Sequence, residues 1–289
     1  ALFVDGRYTV AARGQVDGDC YQIEPLPQTS PGAWLAEHGR EGDRIGYDPR
    51  LHTRTILNQI MSTLATSGVQ LVPVATNPLD RLWLEQPDHP LTPIFVQPID
   101  KTGTRSDDKR CAVADVLKAG NLDASILVAL DSIAWLLNVR ASDVEFAPLA
   151  YAFGICWRDG SIDLFVEESK LSYTVLGHLG SGVRIFGYDE FYPALENMAG
   201  RRIAVDPDLS PIAVYQALVA RGTQPALTWY GEQGRMELSG KVAANHLAKI
   251  AGYLSDELWL DPGACVLLDL PAHWKQVLWG LGAMLAGLE

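Results

Sequence analysis

Several quick indicators of protein class are absent from this sequence of 289 residues. Glycines interrupt the longest apolar candidate, residues 277–288, so no stretch reaches the ~20 residues that a membrane-spanning helix needs, and we expect no membrane partner. The four cysteines lie far apart, which excludes a zinc ribbon or a disulfide-stapled scaffold and favours free thiols in a cytoplasmic protein. No two of the six histidines are close enough in sequence to form a His-x-x-x-His metal site on a helix.

Positive charge is also scarce. The chain carries 23 Lys and Arg against 35 Asp and Glu, which gives a formal net charge of −12. A uniformly acidic protein repels phosphate backbones, and the basic residues form no cluster, so we expect no nucleic-acid partner. Hydrophobic residues make up 48% and charged residues 20% of the chain, which is ordinary for a folded globular protein and argues against extensive disorder.

The common glycine-rich motifs of enzymes are missing as well. There is no phosphate-binding Gly-x-x-x-x-Gly-Lys-Ser/Thr loop, no Gly-x-Gly-x-x-Gly between a strand and a helix, and no Gly-x-Ser-x-Gly nucleophile elbow. We interpret the glycines around His178 as a helix end, because a histidine in the last turn favours the helix dipole. Cys111 and Cys156 fall in a predicted helix and a predicted strand, and we interpret both as core residues.

Predicted strands and helices alternate along the whole chain, which indicates an α/β fold. Residues 86–98 hold four prolines and predict a linker. The predicted division is the second half of a first domain over 1–85, a linker over 86–104, a second domain over 105–215 and a fragment over 216–289.

Local patterns add detail to this division. An Asp-Gly turn predicts a hairpin over 150–166, and a short apolar run predicts a strand over 266–270. A strand pattern already occupies residues 1–4, and a helix pattern runs almost to Glu289 without a stop signal. We therefore expect that both ends continue into a longer protein.

Two clusters of polar residues could be structural or functional. The first, residues 3–8, is a strand end followed by a charged tight turn. The second, residues 129–144, brackets an apolar helical turn with Asp131, Arg140 and Asp143. In the structural interpretation, Asp131 or the following serine caps the helix and Arg140 forms a local ion pair with Asp143.

These clusters resemble the aminopeptidase P family, the Xaa-Pro aminopeptidases among the creatinase-like metallopeptidases. The resemblance covers about residues 1–215. It is carried by Phe3-Val4-Asp5-Gly6-Arg7-Tyr8, Ile45-Gly46-Tyr47-Asp48-Pro49, Leu71-Val72-Pro73-Val74, Asn77-Pro78-Leu79-Asp80, the run from Ala129 to Val144, and Asp163-Leu164-Phe165-Val166.

The resemblance implies a specific architecture and role. Such enzymes have two non-catalytic N-terminal domains, each a mixed sheet flanked by helices, before a catalytic domain that binds two metal ions, usually manganese. The ligand motifs of that domain do not occur in residues 216–289. We therefore expect no catalytic residue, metal ligand or cofactor in this chain. We expect instead that it forms a wall of the substrate entrance and contributes to dimerisation. The implied partners are the missing catalytic domain or a second copy, and short proline-containing peptides in the parent enzyme.

The same resemblance implies roles for individual residues. Arg7 is a candidate for contact with substrate, because a guanidinium offers a rigid fork of donors to a carbonyl or carboxylate, and Tyr8 would support it by packing. The candidates for an interface or for ordering the domain lie in the second cluster and are Asp131, Trp135, Arg140 and Asp143.

Residues 216–289 resemble a different family, the opening of adenylate-forming (AMP-binding) enzymes. The motifs include Pro225-Ala226-Leu227-Thr228-Trp229 and Val266-Leu267-Leu268-Asp269-Leu270-Pro271. The phosphate loop of that family would lie further downstream, so this resemblance implies no ATP binding by the fragment alone. Two alternatives to the main hypothesis stay open: a stand-alone module that binds peptides or proteins, and a fragment of an adenylate-forming enzyme.

Overall fold

The computed structural model describes residues 1–198, 200–220, 225–231, 234–261, 263–268 and 273–288. These residues form two compact units. The first unit comprises Ala1–Phe191 together with Arg201–Tyr215, and the second comprises Tyr192–Gly200 together with Gln216–Glu289.

The N-terminal part of the first unit is built from two separate pairs of parallel strands with short helices. Polar side chains begin three of its helices: Ser30, Thr53 and Asn77 each accept a hydrogen bond from a backbone N–H of the first turn. Strand β1 pairs with β2 and β3 pairs with β4, both in parallel. The elements in order are β1 (Leu2–Val4), α1 (Thr9–Gln15), β2 (Ile23–Pro25), α2 (Pro31–His38), β3 (Arg44–Tyr47), α3 (Arg54–Leu64), β4 (Gln70–Pro73) and α4 (Pro78–Leu82).

A five-stranded mixed sheet dominates the rest of the first unit. Its strand order is β10-β9-β8-β6-β11, in which β8 is antiparallel to β6 and β9 and the outer strands are parallel to their neighbours. A second, two-stranded antiparallel sheet joins β5 to β7. The elements are β5 (Phe95–Val96), α5 (Ile99–Thr102), α6 (Ser106–Ala119), β6 (Ala124–Leu127), α7 (Leu130–Leu137), β7 (Val139–Arg140), β8 (Phe153–Trp157), β9 (Ile162–Phe165), α8 (Tyr173–Leu179), β10 (Val183–Phe186), α9 (Phe191–Glu196), β11 (Ile203–Ala204) and α10 (Ile212–Ala220). Helices α9 and α10 each have residues in both units.

The predicted hairpin over 150–166 is confirmed as β8 and β9. Gly160 adopts a φ of +85° in its turn, a conformation that glycine reaches without a steric penalty. The helix end predicted at His178 is also confirmed, since α8 ends at Leu179 and Gly180 follows with a positive φ. These features and the mixed sheets agree with the predicted α/β class.

Helix α7 contributes one apolar face to the core of the sheet. Ile133, Leu136 and Leu137 are buried in the largest cluster of the unit, which also contains Leu164 and Val166. The spacing of three and four residues places these side chains on the same face of the helix. The opposite face, which includes Trp135, is exposed to solvent.

The start of α7 differs from the structural interpretation of the sequence. The helix begins at Leu130, and its N-cap position, Ala129, has no side-chain hydrogen bond. Asp131 lies inside the first turn, where its carboxylate accepts the N–H of Ser132 at 2.7 Å. The prediction that Asp131 or Ser132 caps this helix was wrong, because the helix begins at Leu130 and both residues therefore lie inside its first turn, after the N-cap position.

Residues from the proline-rich segment pack into the second half of the first unit. Ile94 is buried in the core cluster, and its N–H donates to the carbonyl of Lys170 at 2.9 Å. The segment then contributes β5 and α5. The later part of the segment predicted as a linker therefore belongs to the same core as the sheet.

Residues 206–215, which include the start of α10, contact the N-terminal part of the first unit. The hydroxyl of Thr55 donates to Asp208 at 2.6 Å, and the N–H of Ile212 donates to the carbonyl of His52 at 2.8 Å. The Arg54 guanidinium also lies 5.4 Å from the ring centre of Tyr215. These contacts hold residues 206–215 against the start of α3.

Besides its parts of α9 and α10, the described residues of the second unit form a hairpin and two further helices. Strands β12 (Pro225–Gly231) and β13 (Gly234–Ser239) are antiparallel, and α11 (Gly240–Gly252) leads into a π-helical turn over Tyr253–Glu257. A final helix, α12, spans Trp274–Leu285. The strand predicted over 266–270 was wrong for residues 266–268, which form no strand, and 269–270 lie outside the described residues. Within the described residues, no helix is long and apolar enough to cross a membrane.

Candidate functional site

The most deeply buried polar group of the second predicted cluster is the carboxylate of Asp143. Its side chain is 0% exposed and forms an ion pair with the ammonium of Lys170, which is 1% exposed. The same carboxylate accepts the Thr92 hydroxyl at 2.5 Å and the Tyr151 N–H at 2.7 Å. One carboxylate thus ties together three chain segments, residues 92–94, 142–151 and 168–171.

These contacts determine the charge state of Asp143. Burial alone would raise the pKa of this carboxyl, but hydrogen bonds from Lys170, Thr92 and Tyr151, together with the charge of Lys170, lower the pKa below its usual value. The predicted local ion pair between Arg140 and Asp143 is therefore wrong. Arg140 donates instead to the carbonyls of Ala134 and Val139, both at 2.8 Å.

Three basic side chains surround the carboxyl end of α7. Arg140 bonds the carbonyl of Ala134, the Lys109 ammonium donates to the carbonyl of Trp135 at 2.8 Å, and His178 Nε2 lies 2.9 Å from the carbonyl of Leu137. The last carbonyls of a helix lack partners within the helix and carry partial negative charge. The cluster therefore completes the hydrogen bonding of this helix end and compensates its dipole.

Asn138 and Lys109 complete this helix end. Asn138 adopts a left-handed conformation at the C-cap, with φ of +54°, and its side-chain oxygen accepts Lys109 Nζ at 2.7 Å. Lys109 is buried, and its pKa is lowered by desolvation and by the nearby charge of Arg140. Its ammonium also lies 4.5 Å from the ring centre of Trp135. This cation–π contact orients a tryptophan that remains 54% exposed.

The first predicted cluster is a turn on the surface. The side chain of Arg7 is 82% exposed and forms an ion pair with Asp5 at 2.7 Å. The hydrogen bond from Arg7 lowers the pKa of Asp5, and the same bond raises the pKa of Arg7. The guanidinium carbon lies 5.7 Å from the ring centre of Tyr8. The bonds to Asp5 use Nε and Nη2 and leave Nη1 available for another acceptor.

The structure places the predicted residues in four separate settings. Arg7 and Tyr8 lie in the exposed turn, Trp135 and Arg140 lie at the end of α7, and Asp143 lies in the buried network. Asp131 accepts hydrogen bonds locally, from the N–H and hydroxyl of Ser132. In the described part of the chain, no group of three or more His, Cys, Asp or Glu residues could hold a metal ion.

Sequence reasoning missed the partners of Asp143 and the lysine beneath Trp135. Thr92 was hidden because it lies in the segment predicted as a linker, and Lys170 because it lies in a polar run without a motif. For Lys109 the sequence signal is its position, because it lies on the core side of α6, where an apolar residue is the rule. The core interpretation holds for Cys156 and is wrong for Cys111, which is exposed.

Comparison with known families gives matches that cover both clusters. Two sequence models, each described as a creatinase/prolidase N-terminal domain, match residues 1–82 and 85–229. The second match extends beyond residue 215, where the resemblance to adenylate-forming enzymes was predicted to begin. No finding among these comparisons supports that resemblance.

Curated relatives and a solved structure agree with this family. The chain is 34% identical over 180 residues to Xaa-Pro aminopeptidase ApepP of Drosophila melanogaster, covering 61% of this chain and 29% of that protein. It is 30% identical over 203 residues to Xaa-Pro aminopeptidase app-1 of Caenorhabditis elegans, covering 68% and 32%. The aligned part spans about a third of the length of these relatives.

The structural comparison reaches further along the chain. An X-prolyl aminopeptidase from C. elegans, described as a cytosolic enzyme with a di-nuclear active site, superimposes with a TM-score of 0.68 at 24% sequence identity. The superposition covers 89% of this chain and 44% of the other, which is more than residues 1–215 could supply. The fold and the matches over 1–82 and 85–229 lead to one conclusion: this chain belongs to the creatinase/prolidase N-terminal domain family.

Proposed function

We propose that this chain acts as the non-catalytic N-terminal region of an Xaa-Pro aminopeptidase-like metallopeptidase. The observation that carries the proposal is the pair of family matches over residues 1–82 and 85–229, together with relatives that are themselves Xaa-Pro aminopeptidases. In this role the chain narrows the entrance to a catalytic site on another domain and contributes to dimerisation. The two metal ions, manganese or similar, would be bound by that catalytic domain.

The buried network supports a rigid framework for such a wall. Asp143, in the loop before β8, bonds Thr92 before β5 and Lys170 after β9. Lys109 bonds the carbonyl of Trp135 and the side chain of Asn138 and so fixes the end of α7. A surface that excludes substrates must keep its shape, and fully bonded buried groups supply that rigidity. We assign a domain-ordering role to Asp143 and to Arg140, whose guanidinium donates to backbone carbonyls of α7 and β7.

Trp135 is the residue best suited to an interface. Its indole is half exposed and is held from one side by Lys109, so it loses little conformational freedom when a partner covers it. The partner would be the catalytic domain or a second copy of this chain. Asp131, one turn earlier and exposed, lies at the edge of the same surface and could accept a donor from that partner.

Arg7 remains the candidate for contact with substrate. Its side chain projects into solvent, and Asp5 holds two of its three guanidinium nitrogens. The third nitrogen could donate to a carbonyl of a short proline-containing peptide, while Tyr8 limits the freedom of the side chain. The cytoplasm is the proposed location, in line with the description of the C. elegans enzyme as cytosolic.

The experiment is an assay of Xaa-Pro dipeptide hydrolysis by the full chain with added Mn²⁺. We expect no turnover above background, and robust turnover by the chain alone would contradict the proposal. Calorimetric titration with the same dipeptides separates the role as a wall from the alternative of a stand-alone binding module. Saturable peptide binding without a catalytic domain would favour that module.

A weaker alternative concerns residues 216–289. Their resemblance to the start of adenylate-forming enzymes is a prediction from sequence, and the creatinase/prolidase match already includes residues up to 229. A titration of the full chain with ATP and Mg²⁺ tests it. We expect no binding, whereas saturable ATP binding would revive this alternative.

A further inference from the structure

A tight turn in the loop between β7 and β8 holds a phenylalanine in a strained conformation. Phe146 has a φ of +60°. Glycine reaches this left-handed region without a steric penalty, whereas a bulky side chain there crowds its own backbone. The N–H of Ala147 donates to the carbonyl of Val144 at 3.2 Å, and this bond closes the turn. The backbone of the turn therefore carries a residue type that does not favour it.

The phenyl ring of Phe146 contributes no packing that would offset this strain. The residue is 98% exposed, so nearly all of its apolar surface lies in water. Burial away from water is what makes a large aromatic side chain stabilising. Glycine at this position would relieve the backbone and remove the exposed ring. Strained residues are typical of sites that bind another molecule, and the strain at Phe146 is matched by no gain within the described residues.

Buried bonds hold the base of this turn on both sides. Asp143, three residues before the phenylalanine, forms the buried ion pair with Lys170, and its N–H donates to the carbonyl of Leu149 at 3.1 Å. The N–H of Tyr151, beyond the turn, donates to the same Asp143 carboxylate at 2.7 Å. The two ends of the turn are thus tied together. A partner that covers the ring of Phe146 therefore needs to order little backbone, which lowers the entropic cost of binding.

We propose that Phe146 is a docking anchor that inserts into an apolar pocket on the catalytic domain of an Xaa-Pro aminopeptidase-like enzyme. This inference rests on the proposed function and names the residue that makes the contact. The superposition covers 44% of the C. elegans enzyme, so more than half of that chain lies outside it. In such an enzyme the remaining part is a surface that the turn meets in every molecule. Glu145, exposed beside the ring, would lie at the rim of the pocket and favour a basic side chain there.

The test is a calorimetric titration of the full chain with the remaining part of the C. elegans enzyme, produced separately and selected for Mn²⁺-dependent hydrolysis of an Xaa-Pro dipeptide. Phe146→Ala keeps the left-handed backbone but removes the ring, and it should weaken the complex by about tenfold or more. The matched control is Tyr173→Ala on α8, which removes another aromatic side chain, 94% exposed, and should leave the Kd unchanged. Absence of binding by the wild-type chain would contradict the proposed function. Equal binding by wild type and Phe146→Ala would overturn this inference alone.

A second variant separates a docking role from a structural role. Phe146→Gly relieves the strained backbone, so it should raise the melting temperature of the full chain by a few degrees while weakening the complex as much as Phe146→Ala does. A fall in melting temperature would show that the ring stabilises the chain itself and would overturn the proposal. Size-exclusion chromatography tests the competing occupant. A wild-type dimer that Phe146→Ala converts to a monomer would assign the anchor to a second copy and overturn the choice of the catalytic domain.

Discussion

The ion pair between Asp143 and Lys170 offers the sharpest test of the structure. In Asp143→Asn, the shape of the side chain is kept but the negative charge is lost. Lys170, which is 1% exposed, then loses the carboxylate with which it pairs among the residues that the structure describes. Removing one partner of a buried ion pair costs about 3–5 kcal/mol, because the remaining charge is desolvated without compensation. Urea unfolding at pH 7 should show a loss of this size.

A double-mutant cycle tests whether the unpaired charge of Lys170 causes that loss of stability. Lys170→Met removes the buried cation, so Asp143→Asn combined with Lys170→Met should be more stable than Asp143→Asn alone by about 2 kcal/mol. The matched control is Asp131→Asn, an exposed carboxylate with only local bonds, which should change stability by less than about 0.5 kcal/mol. A loss below about 1 kcal/mol in Asp143→Asn, or no recovery in the double variant, would refute the buried pair.

Three further predictions follow from the same contacts. Because folding lowers the pKa of Asp143, its contribution to stability is complete above the unfolded pKa and is lost as the pH falls through the folded pKa. The stability difference between wild type and Asp143→Asn should therefore shrink in acid, which urea unfolding at several pH values would measure. Burial raises the pKa of the Cys156 thiol to about 11. Under native conditions a thiol reagent should therefore modify Cys156 only after the exposed Cys20, Cys111 and Cys265. Rapid modification of all four thiols would contradict this order. In an enzyme completed with a catalytic domain, Arg7→Ala should lower kcat/KM by about tenfold without changing the melting temperature, and a large fall in melting temperature would show that Arg7 is structural.

Much of the fold could be read from the sequence because local signals agree with the tertiary structure. The Asp-Gly turn at 159–160 identified the hairpin, and the glycines after His178 identified the end of α8. The strand predicted over 266–270 failed for 266–268, where the backbone is irregular and Leu267 is 93% exposed, because a short apolar run does not by itself specify a strand. Periodicity alone does not separate these cases.

The candidate site was less accessible from sequence for a physical reason. Asp143 pairs with Lys170, which is 27 residues away, and with Thr92, which is 51 residues away. A sequence pattern shows charges that are neighbours along the chain, and it therefore suggested Arg140, three positions from Asp143. Arg140 instead bonds carbonyls at the end of α7, because a helix end competes for the same donors.

The most direct test of the central claim is a titration of this chain with a separately purified catalytic domain of an Xaa-Pro aminopeptidase, followed by hydrolysis of Xaa-Pro and longer peptides in the presence of Mn²⁺. We predict that the chain binds the domain and sharpens its preference for short peptides, with Trp135→Ala weakening the complex. Unchanged kinetics over a full range of chain concentrations, or hydrolysis by the chain alone, would contradict the account.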